Sequence, residues 1–284
     1  MKTMRMRMRM RIIMYASIVL LLLILTGIWI VNRSIIRIQL PHGALLHVLP
    51  ADKDNQVRGA VILCPGGGYR YLQLWTEGYL WFPFFHRQGY TVAMLEYRFP
   101  HQYPEREQIM LDDGTDGMLV MRQHAQEWNY DKDNVGMMGF SAGGHLASYF
   151  MVSDKASVRP DFGILFYPVV SMKKELTHKR THDSLLGEDA SKKKEEQFSN
   201  ELHISEHTPP AYIVMITGDT VVNPQNAKLF YDGMRAKNRP ATLQEYHEDS
   251  HGWGLQPFFT FHSQVMEDLK NWLDSRQQVK RNEE

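Results

Sequence analysis

The chain has 284 residues, 43% of them hydrophobic, and its 32 basic side chains are balanced by 32 acidic ones. A chain of this length can bury a sizeable core in one or two domains, and a formal net charge of zero argues against a nucleic-acid partner. The single cysteine, Cys64, excludes an intrachain disulfide.

The first 33 residues are predicted to form a basic head and a transmembrane signal anchor. Five basic residues lie within the first 11, and residues 12–31 follow without a charge. A helix of that length spans a hydrocarbon core of about 30 Å. Because no small-residue cleavage site follows, we favour an anchor that places the rest of the chain outside the cytoplasm, in the periplasm or on the cell surface. Secretion after signal-peptide cleavage is the alternative.

Residues 34–284 are predicted to form one α/β domain, because no long linker, internal repeat or low-complexity tract interrupts them. Short strand-like runs at 35–40 and 44–49 predict an antiparallel pair. Apolar or β-patterned runs predict further strands at 59–64, 90–97, 135–140, 162–166, 212–217 and 242–247. Helices are predicted at 76–87, 107–128, 142–151, 226–237 and 260–276. This alternation predicts a mostly parallel sheet with helices on both faces, as in an α/β-hydrolase.

Residues 171–207 differ from the rest of the domain, since they are charged, rich in histidine and poor in apolar periodicity. They fall between two predicted core strands. They form either a lid that shapes a substrate pocket or a solvated surface excursion.

A nucleophile elbow is predicted at residues 139–143, which read G-x-S-x-G with Ser141 at the centre. A buried strand precedes the motif and an apolar-faced helix follows it, which is the context that an elbow requires. Such a turn holds the serine at positive φ, and side chains in place of Gly139 or Gly143 would collide with neighbouring backbone.

A serine hydroxyl needs a base to remove its proton and an acid to orient that base. His251 is the predicted base, because it lies on the loop after the last strand. Asp219 is the predicted acid, because it follows a strand at the sheet edge where catalytic groups gather. Asp249 competes with it, although Asp249 is too close to His251 in sequence to orient the ring easily. His145 is predicted to be structural or solvated.

Backbone N–H groups from two parts of the sequence are predicted to stabilise the oxyanion that forms when the serine attacks a carbonyl group. Ala142 follows the nucleophile, and Gly67 and Gly68 lie in a glycine run after the strand 59–64. A phosphate-binding role for that run is disfavoured because no Gly-Lys-Ser/Thr follows it.

A zinc site is a weaker alternative, since His247, Glu248 and His251 fit H-E-x-x-H. That motif needs both histidines on one helix face. Here the segment follows a β-patterned run and leads into glycines, so we predict no metal and no cofactor.

Several motifs together resemble the α/β-hydrolase acetylxylan and carbohydrate acetyl esterases, near the hormone-sensitive-lipase-like branch. They are C-P-G-G-G-Y at 64–69, E-Y-R at 96–98, G-F-S-A-G-G-H-L-A at 139–147, F-Y-P-V-V-S at 166–171, S-L-L-G at 184–187 and H-G-W-G at 251–254. The resemblance implies that Ser141 is the nucleophile, His251 the base and Asp219 the acid, with Gly67, Gly68 and Ala142 at the oxyanion. It also implies short acyl esters, such as acetyl groups on plant polysaccharide or oligosaccharide, as substrates.

Two other classes remain open besides the zinc hydrolase. A serine peptidase of this fold uses the same triad, but such enzymes usually carry a β-propeller, and no repeat is present. A non-catalytic binding protein typically lacks a triad member, whereas this chain has a candidate for each. The oligomeric state is not predicted.

Overall fold

The computed structural model describes residues 34–52 and 58–283, and within them eight strands form one sheet. Their order across the sheet is β1-β2-β4-β3-β5-β6-β7-β8. The strands are β1 (Ile36–Gln39), β2 (Leu45–Leu49), β3 (Gly59–Cys64), β4 (Tyr90–Glu96), β5 (Val135–Phe140), β6 (Phe162–Phe166), β7 (Ala211–Ile216) and β8 (Ala241–Tyr246). Strand β2 pairs antiparallel with β4, whereas the pairings from β4 through β3 to β8 are parallel. The prediction of a mostly parallel α/β-hydrolase sheet is confirmed.

Helices connect the parallel strands, as the alternating pattern predicts. They are α1 (Phe82–Arg87), α2 (Arg106–Gln123), α3 (Ser141–Met151), α4 (Lys179–Leu185), α5 (Lys192–Gln197), α6 (Gln225–Ala236) and α7 (His262–Glu283). The helix predicted at 76–87 is shorter than expected. Gly78 has a non-helical backbone, and the Glu77 side chain turns inward to accept the N–H of Gly66, so regular α-helix begins only at Phe82.

Apolar side chains cover both faces of the sheet. On one face Met137 of β5 belongs to a buried cluster with Met118 of α2 and Phe150 of α3. On the other face Phe140 of β5 packs its ring against Trp81, just before α1, with ring centroids 5.7 Å apart. A strand buried on both faces reads as a continuous apolar run, which is why the central strands are readable from the sequence.

Residues 171–207 fold into α4, α5 and a short 3₁₀ turn at Asn200–Leu202. Thr181 and His182 of α4 are buried, and the Asn200 side chain donates a hydrogen bond to the carbonyl of His145 in α3. The segment 171–207 is therefore packed onto the domain through specific polar contacts.

The predicted anchor at residues 12–31 lies outside the described residues. None of the helices in the described part of the chain is both long enough and apolar enough to cross a membrane. The division between residues 1–33 and 34–284 stays a prediction.

Candidate active site

Ser141 occupies a strained turn between β5 and α3, with φ at +49°. A Cβ atom on Gly139 would lie 2.2 Å from the carbonyl oxygen of Gly143, and one on Gly143 would lie 2.0 Å from that of Cys64. No side chain fits at such distances, so glycine is required on both sides of the serine. This is the elbow geometry expected from the sequence.

His251 joins Ser141 to Asp219 through its two ring nitrogens. Its Nε2 lies 2.9 Å from the Oγ of Ser141, and its Nδ1 lies 2.6 Å from the Oδ2 of Asp219. The carboxylate can only accept, so Nδ1 carries the proton and donates it to Asp219. Nε2 is then free to accept the Ser141 O–H, which is the tautomer that a general base requires.

Asp219 is fixed in place by the loop that follows β7. Its Oδ1 accepts the N–H groups of Val221 and Val222 at 2.8 and 2.9 Å, while Oδ2 faces His251. Oδ1 therefore holds the carboxylate to its own loop, and Oδ2 orients the His251 ring. Asp249, the competing candidate, is exposed. The structure brings Asp219, rather than Asp249, to the imidazole of His251.

Gly67 and Gly68 lie beside Ser141, at φ +133° and +63°. Among the described residues, no acceptor takes the N–H of either glycine, whereas the N–H of Gly66 is bound by Glu77 at 2.7 Å. Ala142 is buried in the first turn of α3, where the helix supplies no acceptor for its N–H. Three backbone donors near the serine therefore remain available to a ligand.

Ser141, His251, Gly67 and Gly68 line a cleft of about 450 Å³. The segment 171–207 contributes His178 and Arg180 to its wall, and Val221 and Gln256 lie at other points of the lining. Burial lowers the pKa of His178, and the neighbouring His251 and Arg180 lower it further. The His178 ring is therefore neutral at neutral pH, and Arg180 is the permanent cation of this wall.

Sequence reasoning missed four residues of this region: Glu77, Tyr167, His178 and Arg180. Glu77 lies in a segment read as helix, and Tyr167 lies in a motif that carried no assigned role. His178 and Arg180 lie in the segment of weakest pattern. Their importance depends on contacts between segments far apart in sequence, and no local pattern reports such contacts.

The H-E-x-x-H segment is not helical, because β8 ends at Tyr246 and irregular loop follows. The Nδ1 of His247 lies 3.1 Å from the Oγ1 of Thr217, while His251 faces Ser141 and Asp219. The two histidines therefore do not share a helix face, as the zinc motif requires.

A larger cavity, of about 700 Å³, lies at the opposite edge of the sheet. Asn134, Pro210 and Ala241, at the amino ends of β5, β7 and β8, line it. No histidine lines this cavity in the described part of the chain, so it does not hold the serine–histidine pair found in the cleft.

His145, on α3, forms a second histidine site in the protein interior. Its Nδ1 lies 3.0 Å from the Tyr69 hydroxyl, and its Nε2 lies 2.8 Å from the carbonyl oxygen of Phe198. The carbonyl must accept, so Nε2 carries the proton and Nδ1 accepts from Tyr69. Burial lowers the pKa of His145 to about 4. The ring ties the elbow helix to the segment 171–207, so of the two roles predicted for His145, structural or solvated, the structure shows the structural one.

Comparison with known proteins relates this chain to one family and to proteins named as xylan-degrading enzymes. The BD-FAE family model matches residues 47–234. An acetylxylan esterase of Xylanibacter ruminicola is 36% identical over 226 residues, covering 78% of this chain and 46% of that protein. Endo-1,4-beta-xylanase B of Butyrivibrio fibrisolvens is 31% identical over 212 residues, covering 70% of this chain and 33% of that protein. The chain thus spans less than half the length of both relatives.

A solved structure agrees with this relationship. The acetyl ester-xyloside bifunctional hydrolase of Caldicellulosiruptor lactoaceticus superposes with a TM-score of 0.75 at 26% identity, covering 83% of this chain and 89% of that one. The resemblance to α/β-hydrolase carbohydrate esterases is confirmed. Because the family model matches well over half of the chain, the chain belongs to the BD-FAE family.

Proposed function

We propose that the protein is a serine esterase that hydrolyses short-chain esters, chiefly acetyl esters on carbohydrate such as xylan or its oligosaccharides. One observation carries the proposal: His251 bonds Ser141 through one ring nitrogen and Asp219 through the other, at the wall of an open cleft. The names of the matched relatives support the substrate class.

The proposed reaction is acyl transfer through Ser141. The Ser141 Oγ attacks the ester carbonyl carbon while its proton passes to Nε2 of His251. Asp219 accepts the Nδ1 proton in a hydrogen bond and stabilises the imidazolium. The carbonyl oxygen becomes an oxyanion, which the N–H groups of Gly67, Gly68 and Ala142 are placed to bind.

Collapse of this tetrahedral intermediate breaks the bond to the alcohol, which leaves with the proton from Nε2. Water then enters, gives a proton to the free Nε2 and attacks the acyl-enzyme carbonyl. A second collapse restores the Ser141 hydroxyl and releases the carboxylic acid. No metal or cofactor is needed for either half.

The test measures acid release from p-nitrophenyl acetate and from acetylated xylo-oligosaccharides, using wild type and S141A with and without a chelator. Wild-type activity that is lost in S141A and insensitive to chelator is the expected result. Loss with chelator alone would indicate the zinc alternative. Cleavage of amide substrates at rates matching the esters would indicate a peptidase, and absence of activity on both classes would indicate a binding protein.

We also propose that residues 12–31 anchor the protein with its catalytic domain outside the cytoplasm. The proposal rests on the basic head and the uncharged run. Fractionation of cells that make the full chain should recover the protein in the membrane fraction. Added protease should digest the catalytic domain in cells whose outer envelope has been permeabilised while the cytoplasmic membrane stays intact. Recovery in the soluble extracytoplasmic fraction, shortened at its N-terminus, would indicate cleavage instead.

We propose, finally, that residues 171–207 form a lid. His178 and Arg180 of this segment line the cleft, which supports the proposal. Replacing both by alanine should change the relative rates on aryl acetates and acetylated oligosaccharides. An unchanged ratio would indicate a surface excursion.

A further inference from the structure

Glu77 is a buried carboxylate that the proposed reaction does not use. It lies between β3 and α1, and only 1% of its surface is exposed. Its Oε2 accepts the N–H of Gly66 at 2.7 Å, and its Oε1 accepts the O–H of Tyr167 at 2.9 Å. Each oxygen therefore binds a different segment of the chain.

Tyr167 extends this connection to the histidine loop. Its hydroxyl accepts the N–H of Gly254 at 2.8 Å, three residues after His251. Its ring packs edge-on against the His251 imidazole, with centroids 4.9 Å apart. The backbone of Tyr167 has a φ of +38°, so the residue is held in a strained conformation that the surrounding contacts must maintain.

The result is a continuous chain of hydrogen bonds from Gly66 through Glu77 and Tyr167 to Gly254. It joins the glycine loop that carries Gly67 and Gly68 to the loop that carries His251. Both loops lie at the carboxyl edge of the sheet, and neither is part of a regular element. A displacement of about 1 Å between them would cost on the order of 10²-fold in rate, because attack and oxyanion binding must occur together.

Burying a carboxylate is unfavourable, and burial raises the pKa of Glu77. The hydrogen bonds from Gly66 and Tyr167 and the positive charge of His251 act in the opposite direction. The ionisable groups facing Glu77 are Tyr167, Tyr97 and His251. A hydrogen-bonded carboxylate here attracts the imidazolium that forms when Ser141 loses its proton.

We propose that Glu77 is a positioning residue, which fixes the oxyanion loop and the histidine loop relative to each other and whose charge favours the imidazolium of His251. The inference rests on the proposed serine esterase function. The hydrogen bonds of Glu77 in the described structure go to Gly66 and Tyr167, and neither Ser141 nor His251 is among its partners.

The test compares E77Q and Y167F with the control E267Q, since Glu267 is exposed on α7, outside the cleft lining and the segment 171–207. E77Q keeps the shape of the side chain but cannot accept from both donors. We expect its kcat to fall about 10-fold to 100-fold with KM changed less than 3-fold. Removal of the negative charge should also move the acidic limb of the kcat/KM profile to lower pH, because the imidazole then loses its proton more readily.

Y167F leaves the carboxylate in place and cuts the bridge to Gly254. It should lower kcat about 10-fold without moving the acidic limb, and the loss in the E77Q/Y167F double variant should be smaller than the product of the two single losses. E267Q should behave as wild type. This pattern of results separates the effect of the hydrogen-bond bridge on kcat from the effect of the Glu77 charge on the pH profile.

Unchanged kcat and an unmoved acidic limb in E77Q would overturn the proposal, as would multiplicative effects in the double variant. If E77Q does not fold, the proposal is tested with Y167F instead. A wild-type kcat in Y167F would then refute the positioning role of the hydrogen-bond chain from Gly66 to Gly254. The proposed function is tested separately: full activity in S141A refutes that function, whereas an inactive S141A beside an unaffected E77Q refutes only this inference.

Discussion

Two histidines in this protein have the same number of hydrogen-bond partners and opposite surroundings. His251 lies at the wall of the cleft between a carboxylate and a serine hydroxyl. His145 lies wholly buried between a tyrosine hydroxyl and a backbone carbonyl. A carboxylate partner favours a ring that gains a proton, whereas neutral partners in a buried site favour a ring that stays neutral. The comparison shows that the partners and the access to solvent, rather than the imidazole itself, decide which histidine can act as a base.

The largest expected effect is on activity at the cleft. H251A removes the base, and we expect esterase activity to fall by roughly 10⁴-fold or more. The unfolding midpoint should change little, because the ring lies at the wall of a solvent-filled cleft. Initial rates on p-nitrophenyl acetate and thermal unfolding measure the two quantities. Near-normal activity would remove the distinction between the two histidines.

The identity of the acid gives the next largest effect. D219N should lower kcat by about 10³-fold to 10⁴-fold, because an amide can favour the wrong imidazole tautomer. D249N is the matched control, since Asp249 is also an aspartate on a loop at this edge but is exposed. A large loss in D249N with little in D219N would reverse the assignment.

At the buried site we expect an effect on stability. H145F leaves the Phe198 carbonyl and the Tyr69 hydroxyl without partners. Each buried unpaired group costs about 1–3 kcal/mol, so the loss of both partners should lower the free energy of unfolding by roughly 2–6 kcal/mol. Denaturant unfolding measures this loss of stability. Folded H145F should still have esterase activity, and that activity should still be lost when Ser141 is also replaced by alanine. Unchanged stability would mean that His145 is not the tie between α3 and the segment 171–207.

The smallest effect is the pH dependence of that stability. The folded pKa of His145, about 4, is below the unfolded value of 6.5. The stability that the neutral ring contributes is therefore fully present above about pH 6.5 and is lost as the pH falls towards 4. This loss amounts to about 3 kcal/mol. Comparison of wild type with H145F between pH 7 and pH 4 should show a steeper fall in wild type, and parallel curves would contradict the assignment.

The two sites also differ in how far they could be predicted from sequence. Ser141 and Asp219 follow strands that are continuous apolar runs, and His251 follows a β-patterned strand. The topology of parallel strands brings these strand ends to one edge of the sheet. For His145 the sequence left a structural and a solvated role open, and its partners were not predicted, because Phe198 is 53 residues away in a segment without clear periodicity. Glu77 was hidden for the same reason, since its bond to Tyr167 spans 90 residues.

The central claim, that His251 activates the Ser141 hydroxyl, is tested most directly by a p-nitrophenyl alkylphosphonate. Attack by the Ser141 Oγ forms an O–P bond and expels p-nitrophenolate, so each active chain should gain one phosphonyl group. We expect intact-mass and peptide analysis to place that group on Ser141, with the rate falling in H251A in proportion to esterase activity and no labelling in S141A. Labelling at another residue, or equal rates in wild type and H251A, would contradict the account.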